Sequence, residues 1–401
     1  MTKKNYNTIF ILLIISYVVG YMESFVTIGN FFKYVFIIVI ITNLFKSRVQ
    51  LSNYIPIFIL IVPFIIIPFL LIIAGKYSIQ ISEQISNSFF YLIFIFLVIS
   101  ICEQFDNLDS FLKNVNIGIL IPMIISVVRS GELKFNVFPL LSDMIDNSRT
   151  TRAFLGFTNP NTAGLIAMIG MVSTLLLSIE LNTKRDKKLN LIFYFLSFTL
   201  YIMVIINSGS RTSILSPLIS LLVIIIYYVF TNIKLLVRLS VIPFILAFLI
   251  FRVMLIENQN GGILNINNLN HLTSGRFIRQ ITTINYLIEN DDFLFGIGNF
   301  NSSALYSQSN SFSNSLSTDN SPIYFLVTIG FIGLMFVLII LLLIGFKLGK
   351  KNYIGLYLYG VWIISSLFEH TLFVPSSLFS LFFITAIYIS LDKTVGLISK
   401  Y

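Results

Sequence analysis

A single cysteine, two histidines and 17 carboxylates are spread over 401 residues. The lone Cys102 excludes an internal disulfide and any cysteine-based metal site. His271 and His370 are too few for a metal centre of the His/Cys type, and no Ser-His-Asp order is present. Gly296-Ile297-Gly298 lacks the rest of a dinucleotide fingerprint and any βαβ context, so it reads as a turn. Neither a cofactor nor a metal is expected. No repeat of fixed period is evident, and no matching pair of Gly/Pro-interrupted helices marks the two halves as an inverted-repeat transporter. Charged residues make up only 11% of the chain against 56% hydrophobic, with mean hydropathy +0.91, which excludes a soluble globular protein.

Long apolar runs recur from end to end. They lie at about 7–22, 31–45, 54–74, 88–102, 111–128, 161–181, 189–207, 212–230, 235–256, 321–346, 353–369 and 372–391, which predicts an all-α polytopic membrane protein of about 12 transmembrane helices. Residues 1–401 form a single integral membrane domain in this reading. Runs 7–22, 31–45 and 88–102 are short, so a merged or re-entrant pair among the first four stays open. Lys3 and Lys4 precede the first run as in a signal peptide, but YVVGYME (Tyr17 to Glu23) offers no small-x-small cleavage site, so it is read as an uncleaved span. Thirteen of the sixteen lysines fall on one side of the twelve-span arrangement, and by the positive-inside rule that side, with both termini, is cytoplasmic.

The arginines do not follow the lysines. Arg48, Arg185 and Arg238 join them, whereas Arg129, Arg149, Arg152, Arg211, Arg252, Arg276 and Arg279 fall on the outer side. A topology signal does not distinguish the two cations, but a phosphate site does, because the guanidinium fork grips oxyanions through two parallel hydrogen bonds. The net charge of +9 is thus divided between two rims, which argues against nucleic acid as a partner. Three outer helix beginnings carry arginine: Arg149 and Arg152 ahead of Asn159-Pro160-Asn161, Arg211 after Asn207-Ser208-Gly209-Ser210, and Arg276 with Arg279 one turn on. Helix starts add unpaired N–H groups and positive partial charge to such a site. The plain alternative for each is an arginine snorkelling to lipid phosphates.

Two outer connections are long, 129–160 and 257–320. The second contains a helix signal of its own. Phe277, Ile278, Ile281, Ile284, Leu287 and Ile288 recur at three- and four-residue spacing after a cap at Thr273 or Ser274, ending at Asn290-Asp291-Asp292. The Asn/Ser tract that follows, with Tyr306 and Phe312, is either a linker or a sugar-facing surface. Glu369-His370 closes the eleventh expected span, where a carboxylate and an imidazole could position or deprotonate a hydroxyl. Asp319, ahead of Asn320-Ser321-Pro322, reads as a helix cap, a catalytic group, or both.

The ordered pieces Arg152-Ala153-Phe154-Leu155-Gly156-Phe157 with Asn159-Pro160-Asn161, Ser208-Gly209-Ser210-Arg211-Thr212, Ser274-Gly275-Arg276, Gly296-Ile297-Gly298, and Asp319-Asn320 leading to Gly330-Phe331-Ile332-Gly333 carry a resemblance. The chain resembles the O-antigen polymerase and O-antigen ligase superfamily of bacterial polysaccharide assembly. That resemblance implies a metal-independent, inverting glycosyltransferase of the GT-C type in the cytoplasmic membrane of a bacterium, its active site facing outside and partly built from 257–320. Donor and acceptor would be oligosaccharides on undecaprenyl pyrophosphate, with the lipid bilayer, a chain-length regulator and a flippase as partners. Arg152, Arg211 and Arg276 would hold the donor's pyrophosphate, helped by Arg149, Arg279, Asn161 and Asn320. Arg276, Arg211, Asp319, His370 and Glu369 are the candidate catalytic residues. Ligase-type members commonly carry a His-Asn pair where this chain has Asp319-Asn320, which favours a repeat-unit polymerase of capsule, O-antigen or exopolysaccharide and leaves Asp319 as a candidate base. A ligase moving finished glycan, a lipid-linked oligosaccharide flippase and a cell-wall polymerase of the rod-shape type are the alternatives. A transporter is expected to place ionisable groups near mid-membrane, and here they cluster at span ends.

Overall fold

Apolar side chains suit both the lipid-facing and the inward-facing surface of a membrane helix, so these runs become helices that are hydrophobic nearly all round. The computed structural model describes residues 3–44, 54–75, 81–135, 152–181, 188–232, 276–298, 320–349 and 352–392. In order the helices are α1 (Lys3–Val19), α2 (Val26–Leu44), α3 (Ile55–Ile59), α4 (Ile67–Ile73), α5 (Ile81–Gln104), α6 (Leu108–Ser130), α7 (Pro160–Leu181), α8 (Lys188–Ser208), α9 (Arg211–Asn232), α10 (Arg276–Glu289), α11 (Ser321–Gly349), α12 (Tyr353–Ser366) and α13 (Leu378–Asp392). Among the described residues, seven stretches are long and apolar enough to cross a membrane: Val26–Leu44, Ile55–Ile73, Gln84–Gln104, Leu108–Ser130, Pro160–Ile179, Asn190–Ser208 and Ser321–Leu348. Four shorter apolar helices, Asn5–Val19, Arg211–Ile225, Tyr353–Ser366 and Leu378–Leu391, accompany them. The expected span 235–256 lies outside the described residues.

The first four runs are separate helices, with no merged pair. The third is not continuous. Prolines 56, 63 and 68 each lack an N–H, and the chain answers with a π-helical turn at Val62–Ile66 between α3 and α4. Two polar contacts mark one end of the bundle: Lys3 pairs with Asp106, and the Tyr54 hydroxyl donates to Glu103 at 2.9 Å. At the opposite end the α1–α2 turn meets the segment before α7. There Met22 bridges Phe157, and Thr158 N–H donates to the Tyr21 carbonyl at 3.0 Å. Between the ends, edge-on aromatic rings fill the interior, Phe10 against Phe105 at 4.9 Å and Trp362 against Phe373 at 5.0 Å.

The expected amphipathic helix of the long connection is α10. Its Leu287 is buried with Ile323, Leu326 and Val327 of α11, so the helix docks by its apolar face. Expected span 321–346 is one uninterrupted run in sequence, but α11 is broken at Gly330 (φ 68°, ψ −175°), a backbone region essentially reserved for glycine. The chain after α10 fills the break. Ile297 N–H donates to the Val327 carbonyl at 2.8 Å, while Phe331 and Ile332 N–H donate to the carbonyls of Phe293 and Leu294 at 2.9 and 3.2 Å. Backbone groups freed at membrane depth need partners within the protein, and residues 293–297 supply them. The Gly296-Ile297-Gly298 turn is therefore a plug in α11.

The expected final spans also shift. α12 stops at Ser366 and α13 starts at Leu378, so Glu369-His370 lies in a non-helical segment, 367–377, and not at a helix end.

Candidate active site

Segment 367–377 is shaped by two buried serines. Ser321, the first residue of α11, accepts from the N–H groups of Thr371 and Leu372 at 3.0 Å each and donates to the Glu369 carbonyl at 3.3 Å. Ser380 donates to the Thr371 carbonyl and accepts from Val374 N–H. Asn320 caps α11, its Oδ1 accepting from Ile323 N–H at 2.9 Å. The cap expected of Asp319 is thus made by its neighbour, because the helix begins one residue later than a cap at Asp319 requires. Asp319 itself lies outside the described residues, as does Arg149.

Arg276 opens α10 and reaches across to this segment. Its Nη1 donates to the Phe368 carbonyl at 2.6 Å and to Glu369 Oε1 at 3.2 Å. Asn161, in the first turn of α7, donates from Nδ2 to the same Glu369 oxygen at 3.5 Å and accepts from Arg152 Nη1 at 3.5 Å. The two 3.5 Å contacts are at the outer limit for hydrogen bonds, so the Arg276–Glu369 pair is the anchor. Arg152 is placed by the end of α8: Ala153 N–H donates to the Asn207 carbonyl at 2.9 Å, and the Arg152 stem lies over Gly209. Three widely separated sequence regions therefore converge in one chain, Arg152–Asn161–Glu369–Arg276.

That chain borders a cleft of about 420 Å³ lined by Tyr21, Asn159, Asn161, Arg276, Glu369 and His370, with hydroxyls from Thr162, Thr371, Ser376 and Ser377. Guanidinium, carboxylate, amides and hydroxyls around one opening can bind an oxyanion and sugar hydroxyls together. Arg152 reaches the cleft through Asn161. Arg211, at the start of α9, has its Nε and Nη2 shut off from solvent, and neither it nor Arg279 is part of the lining. Tyr21 and Ser321 escaped the reading of the sequence, since neither carries a motif. The one available signal was Ser321 preceding Pro322 at a helix start.

His370 packs against Tyr324 with the rings tilted by 31° and their centroids 3.6 Å apart, its Nε2 buried and without a hydrogen-bond partner. Burial pushes its pKa down to about 4, so the imidazole is neutral at physiological pH. A folded-state pKa below the ordinary 6.5 means that the unfolded chain takes the proton first as pH falls. The stability contributed by neutral His370 is complete above about pH 6.5 and is lost as pH drops through 4. Wild-type thermal stability in detergent is therefore expected to fall more steeply between pH 6.5 and 4 than that of His370→Gln. Parallel curves would place the imidazole in contact with water.

No curated protein matches this chain. A family model does, that of O-antigen ligase, over a stretch that begins within α8, contains Arg211 and Arg276, and ends beyond the Gly330 break. Arg152, Glu369 and His370 fall outside the matched residues and are joined to it only by the fold. The match of residues 195–338 to O-antigen ligase supports placing the chain in the O-antigen polymerase and ligase superfamily.

Proposed function

We propose that this protein polymerises oligosaccharide repeat units carried on undecaprenyl pyrophosphate, at the outer face of a bacterial cytoplasmic membrane. The observation that carries the reading is the Arg276–Glu369 pair at a cleft shared with Asn161 and His370. In this reading the chain crosses the membrane about twelve times with both termini cytoplasmic, as a metal-independent, inverting transferase of the GT-C type.

The chemistry follows from charge. An acceptor hydroxyl attacks the anomeric carbon of the donor, the bond from that carbon to the pyrophosphate oxygen breaks, and the leaving group takes the electron pair. Arg276 holds Glu369, and the donor's phosphates compete for the same guanidinium. Binding of the donor thus releases Glu369 to accept the hydroxyl proton beside a neutral His370. A guanidinium fixed where negative charge grows stabilises the transition state more than the ground state. Arg152 steadies the arrangement through Asn161. If Asp319 is the base instead, Asp319→Asn abolishes transfer while Glu369→Gln does not.

The test is a strain lacking the gene, its undecaprenyl-linked glycans extracted and sized by mass spectrometry. Single repeat units on lipid, with long chains missing, are expected. Long chains that stay on lipid and never reach their final acceptor would make the protein a ligase, and an unchanged profile would remove the transferase reading.

A further inference from the structure

The first cleft ends at a short antiparallel pair, and a second begins at its other end. Tyr21 opposes Thr158, Met22 bridges Phe157, and Glu23 N–H donates to the Gly156 carbonyl at 3.1 Å. Tyr21 and Asn159 line the Arg276 cleft, whereas Met22, Glu23 and Gly156 line a separate cleft of about 210 Å³. Tyr21 and Met22 are consecutive, and only Phe157 and Thr158 stand between Gly156 and Asn159, so the two clefts adjoin across this rim within the reach of one oligosaccharide.

The second cleft carries side chains that suit sugars. Glu23 is exposed, and Ser24 and Ser130 add hydroxyls. The Arg129 guanidinium lies over the Phe25 ring at 4.8 Å. It forms no ion pair among the described residues. Phe154 is 49% exposed at the rim, an apolar face beside polar donors and acceptors. The rim is held in a costly shape. Leu155 is fully buried yet left-handed (φ 53°), followed by Gly156 (φ 77°), where a Cβ would sit 2.7 Å from Ser126 Oγ. Leu155 N–H donates to Glu132 at 2.5 Å, and the Ser126 hydroxyl donates to the Leu155 carbonyl at 2.5 Å. Backbone strain fixed in this way gathers at ligand clamps. Beside Arg129, Val128 is 75% exposed on the apolar face of α6, so the cleft opens where a lipid-facing surface ends.

We infer that this second cleft holds the sugars of the acceptor, a hydroxyl-rich oligosaccharide whose attacking end crosses the 21–23/156–158 rim into the Arg276 cleft. The inference rests on the transferase reading above. Donor and acceptor are then held at separate subsites, and only the reacting hydroxyl and the anomeric carbon meet.

The test needs no turnover. Oligosaccharide is released by mild acid from the lipid-linked glycans of the deletion strain, converted to its methyl glycoside, and titrated against the purified full chain in nanodiscs by saturation-transfer NMR. Phe154→Ala and Arg129→Gln are expected to weaken binding roughly tenfold each, with Arg276→Ala retaining it. Both substituted side chains are on the surface, and an unchanged elution volume and melting temperature check the fold. Binding lost in Arg276→Ala and kept in the other two would overturn the proposal by placing the acceptor sugars in the first cleft. So would a wild-type protein that lengthens chains in cells but gives the glycoside no saturation-transfer signal. An unchanged lipid-linked profile in the deletion strain would instead overturn the transferase reading, and the inference with it.

Discussion

Arg276→Lys is expected to lose transfer by roughly 10²–10³-fold, nearly as badly as Arg276→Ala. The guanidinium already meets two oxygens, the Phe368 carbonyl at 2.6 Å and Glu369 at 3.2 Å, from a backbone position across the cleft. A lysine ammonium is a point charge on a shorter reach, and it cannot keep a forked contact with phosphate. Alanine adds a second defect, because it leaves Glu369 without its cation at the mouth of an anion site. Arg276→Ala combined with Glu369→Gln should therefore bind the donor better than Arg276→Ala alone, though without restored transfer. The readout for transfer is the ladder of undecaprenyl-linked glycans by mass spectrometry from cells carrying each variant, and for the double variant it is the amount of lipid-linked glycan that copurifies with the protein. A wild-type ladder in the lysine variant would remove the forked contact from the mechanism.

Gly330→Ala is the second large effect. A Cβ at this position would lie 2.3 Å from the Leu294 carbonyl oxygen, in a backbone region that only glycine enters freely. The strain of a non-glycine residue there and the collision with the plug each cost about 1–3 kcal/mol. Relief requires residues 293–297 to leave the break, and that strands three backbone hydrogen bonds within the bundle. The plug also fixes the end of α10, whose first residue is Arg276, so the substitution is expected to lower both thermal stability and chain growth. A variant with the wild-type melting temperature and glycan ladder would mean that α11 runs straight through Gly330.

The spans were legible because burial in lipid demands length and apolarity, and both are written into the residues of α5 through α8. The arginine clusters at helix starts were legible for the same reason, since charge at a span end stands out against an apolar run. What was hidden depends on contacts. Nothing in 321–346 marks Gly330 as a break, because glycine is common in membrane helices and the cause is the distant segment 293–297. Glu369 reads as a helix end until Ser321 and Ser380 are seen to hold 367–377 out of helix. Of the expected site residues, Arg276, Glu369, His370 and Asn161 share one cleft and Arg152 touches it through Asn161. Arg211 and Arg279 are held apart from that lining. The Arg276–Glu369 contact spans 93 positions, a pairing that no local pattern encodes.

The plug in α11 has a consequence for how the chain could be divided. α10 is tied to α11 through the 293–297 hydrogen bonds and the packing of Leu287 and Ile297 on Ile323 and Val327, so the peptide linkage through 299–319 is not what keeps them together. A single cut in that tract, by a protease or by expressing two genes in place of one, yields a fragment ending after the plug and a fragment beginning with α11. Each carries half of one interface, and the two should reassemble as complementing partners with Arg276 still facing Glu369.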